Sequence, residues 1–336
     1  MRQPGGLHER TAALIVGSGA HRFRWIQGWG RLPHGMSLGD VPGVAVDSQD
    51  RVFAFQRGEP PIVVFDRDGE FLTSWGDGVF KRTHGIHITG DDSVYCVDDV
   101  GQAVRRFSID GRLDLEITAP DQSEATGYRR GYHRSVQRSA PPFCFPTAAA
   151  PSHDGRHVMV TDGYGNARLH RFDQQGGLVS SFGDPGEGAS QFIVPHGIHV
   201  EADGTMYVSD RENERAQIFY ANGDFVGEWK GMHCPNNIVR GPDGYYYTAE
   251  LGRTVQGPPG AKFVVEDALS PRVTVRDSSG AILAEWGAPE PERVWFAPHG
   301  IAIDSHGDLY VGEVTASNSY GLAPPRAALH KFVRLD

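Results

Sequence analysis

One unit recurs six times along the chain, and that recurrence limits the fold more than any single motif does. Each copy reads as a short apolar strand, a turn of the Asp-Gly type, a second strand ending in an acid or amide, a third strand, and a fourth that often closes on Trp-Gly or Phe-Gly. The clearest copies are THGIHITGDDSVYCVDDVGQAVRRFSIDGRL (83–113), PHGIHVEADGTMYVSDRENERAQIFYANGDFVGEWKG (195–231) and PHGIAIDSHGDLYVGEV (298–314). Weaker copies are VPGVAVDSQDRVFAFQRG (41–58), FPTAAAPSHDGRHVMVTDGYGNARLHRFDQQGGLVSSFG (145–183) and CPNNIVRGPDGYYYTAELG (234–252). Aligned, the units share an anchor position: Pro42, His84, Thr147, His196, Asn236 and His299. The polar residue that ends the second strand follows 14 places later at Gln56, Asp98, Asp210, Glu250 and Glu313, and 15 places later at Asp162.

Short alternating strands separated by turn clusters indicate antiparallel sheet. Four strands per unit, in units of about 40 residues upward, indicate propeller blades. The expected fold is therefore all-β: a six-bladed β-propeller, with residues 1–336 as a single domain. The last unit runs out at ALHKFVRLD (328–336) after three strands, while the N-terminus holds an orphan, FRWIQGWG (23–30), comparable with FLTSWG (71–76) and ILAEWG (282–287). The N-terminal strand should complete the C-terminal blade and close the ring, which removes an open sheet edge. Residues 1–22 read as an N-terminal tail. Three insertions, near 118–145, 253–272 and 315–327, interrupt the spacing and are expected to wall a pocket.

Glycine and proline, 43 and 22 of 336 residues, suit a chain of many turns. With 32 basic and 42 acidic residues the formal charge is −10, and no dense basic run offsets it. That balance argues against nucleic acid or an anionic membrane as partner and toward a small-molecule or neutral substrate. No stretch reaches the roughly 20 apolar residues of a membrane span. The N-terminal stretch holds about five successive apolar residues, short of a signal peptide, so a cytoplasmic location is expected. Cys96, Cys144 and Cys234 form neither a C-x-x-C pair nor a disulfide framework.

Among 15 histidines, His21, His34, His133, His170 and His330 read as solvated or locally hydrogen-bonded. His84, His196 and His299 are different, because they hold the anchor position in units two, four and six. Alternate blades of a six-membered ring lie about 120° apart, so these side chains should converge on the channel axis. Three imidazoles with an open fourth position make a catalytic zinc site; iron, cobalt or manganese suits the same donors. The competing reading takes P/T-H-G as a turn signature, yet units one, three and five make that turn without histidine.

Hairpin geometry returns the second strand to the anchor's rim, which brings Arg57, Tyr164 and Arg211 to the same place. A tyrosine beside a divalent cation can act as a general base, and two guanidinium groups can dock a carboxylate. The alternative for Tyr164 and Arg211 is bracing of the blade turns. Asp98, Asp162, Asp210, Glu250 and Glu313 recur too regularly for chemistry and read as acceptors for backbone N–H groups.

These residues carry a resemblance. The chain resembles NHL-repeat propellers and, among them, the peptidyl-α-hydroxyglycine α-amidating lyases, which split a peptidyl hydroxyglycine into a peptide amide and glyoxylate. The likeness is densest in FCFPTAAAP, VTDGYGNARLHRF, FIVPHGIHV and YVSDRENERAQIF. It implies zinc on His84, His196 and His299, Tyr164 as base, and Arg57 and Arg211 as active-site arginines. It further implies a structural calcium (Ca2+) held in part by the backbone carbonyls of Val44 and Ile86. Three positions depart from the family pattern: Gly300 stands where the family has a calcium-binding aspartate, Ala297 where it has methionine, and Gly165 where it has the disulfide partner of Cys144. The expected activity is a metal-dependent lyase acting on a hydroxylated, carbinolamine-type small molecule. The alternatives are a metal-dependent hydrolase of an ester, lactone or amide on the same site, and a non-catalytic NHL scaffold.

Overall fold

A computed structural model describes residues 14–253, 269–288, 296–319 and 327–335. Its strands begin with β1 (Ile15–Ser18) and β2 (His21–Ile26). Blade one is β3 (Gly43–Val46), β4 (Val52–Phe55), β5 (Ile62–Phe65) and β6 (Phe71–Trp75); blade two is β7 (Thr83–Ile88), β8 (Val94–Asp98), β9 (Ala103–Phe107) and β10 (Leu113–Thr118). Blade three comprises β11 (Pro146–Pro151), β12 (His157–Asp162), β13 (Arg168–Asp173) and β14 (Leu178–Phe182). A short parallel pair follows, β15 (Asp184–Pro185) with β16 (Gln191–Phe192). Blade four is β17 (Pro195–Val200), β18 (Met206–Asp210), β19 (Arg215–Phe219) and β20 (Phe225–Trp229); blade five is β21 (Pro235–Arg240), β22 (Tyr246–Glu250), β23 (Arg272–Arg276) and β24 (Ile282–Trp286). Blade six runs β25 (Pro298–Ile303), β26 (Leu309–Glu313) and β27 (Leu329–Leu335), completed from the other end of the chain.

Completion comes from β2, which pairs antiparallel with β27 through Arg24↔Val333 and Trp25↔Phe332. The strand lies earlier than the sequence suggests, ending at Ile26, because Gly28 and Gly30 take positive φ (71° and 88°) and turn the chain out of the sheet. β1 adds a fifth strand outside it, within the stretch read as a tail. The insertion at 253–272 lies largely outside the described residues, as does most of that at 315–327.

Each blade buries its faces against its neighbours, so the apolar core is divided into clusters between blades rather than gathered at one centre. A repeated contact sets the blade spacing. The aromatic residue after or at the end of an outer strand lies on the turn glycine of the next blade. A Cβ at Gly111 would stand 2.8 Å from Trp75, and one at Gly280 2.3 Å from Trp229. Trp29, although outside the sheet, does the same at Gly69 and packs between Phe65 and Tyr310.

The recurring acids are braces. Asp98 accepts the backbone N–H groups of Lys81, Arg82 and Gly101, Asp210 that of Ile193, Glu250 that of His233, and Glu313 that of Ala297. Each therefore ties the end of a second strand to the loop leading into the blade's first strand. This leaves the residues just beyond them free to face the rim.

Candidate metal centre and pocket

In blades two, four and six the anchor is the second residue of the innermost strand, and pairing slips there: between Thr83 and Ile86, Pro195 and Ile198, and Pro298 and Ile301. Such bulges re-aim a side chain, and here the three imidazoles meet. His84, His196 and His299 are buried (1, 3 and 4% exposed), and their rings lie 4.7–4.9 Å apart by centroid. One ligand atom from each fits within 4.8 Å of the others, so the group can hold a metal ion.

The other three anchors contribute through the backbone. Nδ1 of His84 meets the carbonyl of Thr147 at 2.6 Å, that of His196 meets Asn236 at 2.8 Å, and that of His299 meets Pro42 at 2.7 Å. Each Nδ1–H therefore donates to the next blade's anchor, which leaves Nε2 as the lone-pair atom. Burial, then the neighbouring histidines, holds the pKa of His84 well below its ordinary value; burial acts first on His196 as well, and burial followed by Arg57 takes His299 down to about 3. Neutral, oriented imidazoles are the form in which histidine binds metal, so these residues fit a first-row divalent cation.

The glycine after each histidine follows from the same contact. A Cβ at Gly85, Gly197 or Gly300 would meet the carbonyl oxygen of Thr147, Asn236 or Pro42 at 2.6, 2.5 and 2.9 Å. Position 300 thus has no room for a side chain, and a calcium site of the kind the resemblance implies lacks its carboxylate here. Val44 and Ile86 do lie below the histidines in the channel wall, beside Ile198 and Ile301.

Above the histidines opens a pocket of about 370 Å³, lined among others by Arg57, Tyr164, Arg211 and His299. The Tyr164 hydroxyl lies 2.8 Å from Nε2 of His84 and 3.2 Å from Nε2 of His196. Arg211 packs its guanidinium 5.3 Å from the centre of the Tyr164 ring and pairs with Glu212 at 3.0 Å. Arg57 donates to Ser317 at 2.7 Å and stands 3.7 Å from Asp40, while its Nε is buried without a hydrogen-bond partner. Burial and the nearby Arg82 lower its pKa, against the opposing pull of Asp99 and Asp40.

Several pocket residues escape the sequence reading, and four of them bear most on the site. Arg82 and Asp99 come from blade two and face each other at 3.4 Å. Tyr128 and His133 come from the 118–145 insertion, which folds back over the rim. His133, read from sequence as solvated or locally hydrogen-bonded, contacts the Tyr164 carbonyl at 2.9 Å, and its ring also stacks on Tyr164 at 5.2 Å. Burial and Arg211 bring its pKa down to about 4, so a neutral ring covers the tyrosine. For Asp99 a signal existed, since it occupies the same place in its unit as Arg57 and Arg211 in theirs. The three cysteines are free and buried; a Cβ at Gly165 would stand 2.3 Å from Sγ of Cys144.

No protein-family model matches the chain. Peptidyl-glycine alpha-amidating monooxygenase B of Xenopus laevis is 25% identical over 334 residues, 89% of this chain and 35% of that protein. A probable peptidyl-alpha-hydroxyglycine alpha-amidating lyase of Caenorhabditis elegans, pgal-1, is 27% identical over 210 residues, 55% of this chain and 56% of its own. The chain is similar in sequence to proteins named for amidating lyase and amidating monooxygenase activity. Human NHL repeat-containing protein 3 is 29% identical over 241 residues, covering 67% of this chain and 65% of that one. The chain thus spans about a third of the Xenopus protein and under two thirds of the other two. Among solved structures, virginiamycin B lyase of Staphylococcus aureus with quinupristin superposes with a TM-score of 0.55 at 18% identity, over 87% of this chain and 82% of that one, a likeness of fold.

Proposed function

We propose that the protein is a metal-dependent lyase, with zinc on His84, His196 and His299, that cleaves a small carbinolamine-type hydroxy acid into a carbonyl compound and a nitrogen leaving group. One observation carries this reading: the Tyr164 hydroxyl sits directly against two of the three histidine Nε2 atoms, with Arg211 packed on its ring. The lyase names of the relatives support it.

His84, His196 and His299 would hold the divalent cation, which would supply Lewis-acid chemistry toward a hydroxyl oxygen. Tyr164 is placed to take the proton of the substrate hydroxyl, and His133 and Arg211 hold its ring from two directions. Arg57, whose Nε has no hydrogen-bond partner among the described residues, is placed to receive the substrate carboxylate together with Arg211. The two arginines therefore fix the acid end while the hydroxyl faces Tyr164.

Product analysis tests this directly. Zinc-loaded protein given N-benzoyl-2-hydroxyglycine should release benzamide and glyoxylate, and Tyr164→Phe should lower kcat by about 10²–10⁴-fold with KM little changed. Release of benzoate instead would identify hydrolysis and contradict the lyase reading.

A further inference from the structure

The ring position that follows the bracing acid is occupied in turn by Arg57, Asp99, Gly163, Arg211, Leu251 and Val314. All but Gly163 line the pocket, and Tyr164 follows that glycine into it. The scaffold is sixfold at this level, yet it presents one carboxylate. Asp99 is 1% exposed. Its Oδ1 accepts the Val100 N–H at 2.7 Å, but its Oδ2 is buried with no hydrogen-bond partner among the described residues, the nearest cation being Nε of Arg82 at 3.4 Å. The neighbouring brace, Asp98, shows the contrast, with both oxygens taken by backbone N–H groups. A buried carboxylate oxygen without a donor favours the protonated form, and a proton on it becomes a donor into the cavity.

We propose that Asp99 is the general acid of the reaction, protonating the nitrogen that departs as the C–N bond breaks. This role rests on the lyase reading above. Tyr164 takes the hydroxyl proton, the oxygen lone pair closes the C=O bond, and the C–N bonding pair passes to nitrogen, which receives the proton of Asp99. Nothing is oxidised or reduced. Tyr164 ends protonated and Asp99 ionised, and one proton passed through solvent from the first to the second restores the start. The charged groups facing Asp99 are Arg82 and Arg57, which favour the carboxylate, and Asp98, which opposes it. Burial outweighs the two arginines and pushes Asp99 up to about 6, within reach of an acid working near neutrality. Leu251 and Val314, at the same ring position in blades five and six, add no competing donor.

The test uses a series of N-(substituted benzoyl)-2-hydroxyglycines, from methoxy to nitro, on zinc-loaded protein. Asp99→Asn should slow the most basic leaving group by about 10²–10³-fold and the nitrobenzamide much less, so that rate depends steeply on leaving-group basicity only in the variant. Asp99→Glu should recover part of the loss. Independently of turnover, carboxyl ¹³C NMR of the metal-free protein should show a resonance, missing in Asp99→Asn, that titrates near pH 6. An equal loss across the series, or an Asp99 titration at the ordinary value near 4, would overturn the acid role. A wild type inert on every member, with the resonance still titrating near 6, overturns the lyase reading itself and takes the acid role with it.

Discussion

His196 shows how little freedom each histidine of the cluster has. Its Nδ1–H is held by the Asn236 carbonyl, and that carbonyl comes close enough only because residue 197 lacks a side chain. Gly197→Ala would put a methyl group 2.5 Å from the same oxygen, forcing β17 and β21 apart. The expected result is a loss of about 1–3 kcal/mol in stability together with weaker metal binding. Gly227→Ala, with nothing within 4 Å of its Cβ, serves as the neutral control. Thermal melts and zinc titration of the two variants check this. The histidines themselves were legible from spacing, because side-chain donors recur at fixed positions. Their carbonyl partners were not, since every residue type carries the same carbonyl; the glycine after each histidine was the one trace of that contact.

Among the elements, β2 bears the most consequence. It is remote in sequence from the blade it completes, and it buries Phe23 and Trp25, with Trp29 just beyond. Losing one such aromatic costs about 3–5 kcal/mol, against a whole-domain stability of about 5–15 kcal/mol. Deleting residues 1–30 also bares the edge of β27. The truncated chain should therefore lose its cooperative melt and aggregate, and calorimetry showing an unchanged transition would contradict the closure. Sequence placed this strand two residues late and too long because Trp29-Gly30 repeats the closing dipeptide of other units. The tryptophan keeps its packing role on Gly69 even though its backbone has left the sheet. The 118–145 insertion was readable as a pocket wall but not as the support of Tyr164, because the stacking of His133 depends on a fold-back that no local pattern encodes.

Over the whole molecule, three orders of symmetry are superposed. The blades repeat six times, the histidines three times in alternate blades, and the pocket residues not at all. The first two are periodic and were therefore visible in the sequence. The third is not periodic: Arg57, Asp99 and Arg211 are charged departures at a ring position that elsewhere holds glycine, leucine and valine. The acidic balance of the chain says little about this chemistry: of 42 acidic residues five are braces, and Asp99 is the acid that lines the pocket among the described residues. The account as a whole depends on the alternate-blade histidines being ligands rather than turn residues. Metal content of the purified, zinc-loaded protein by mass spectrometry, with His84→Ala alongside, measures this most directly. One tightly held zinc per chain in the wild type and none in the variant is the predicted result; wild type and variant retaining equal metal, or neither retaining any, would contradict it.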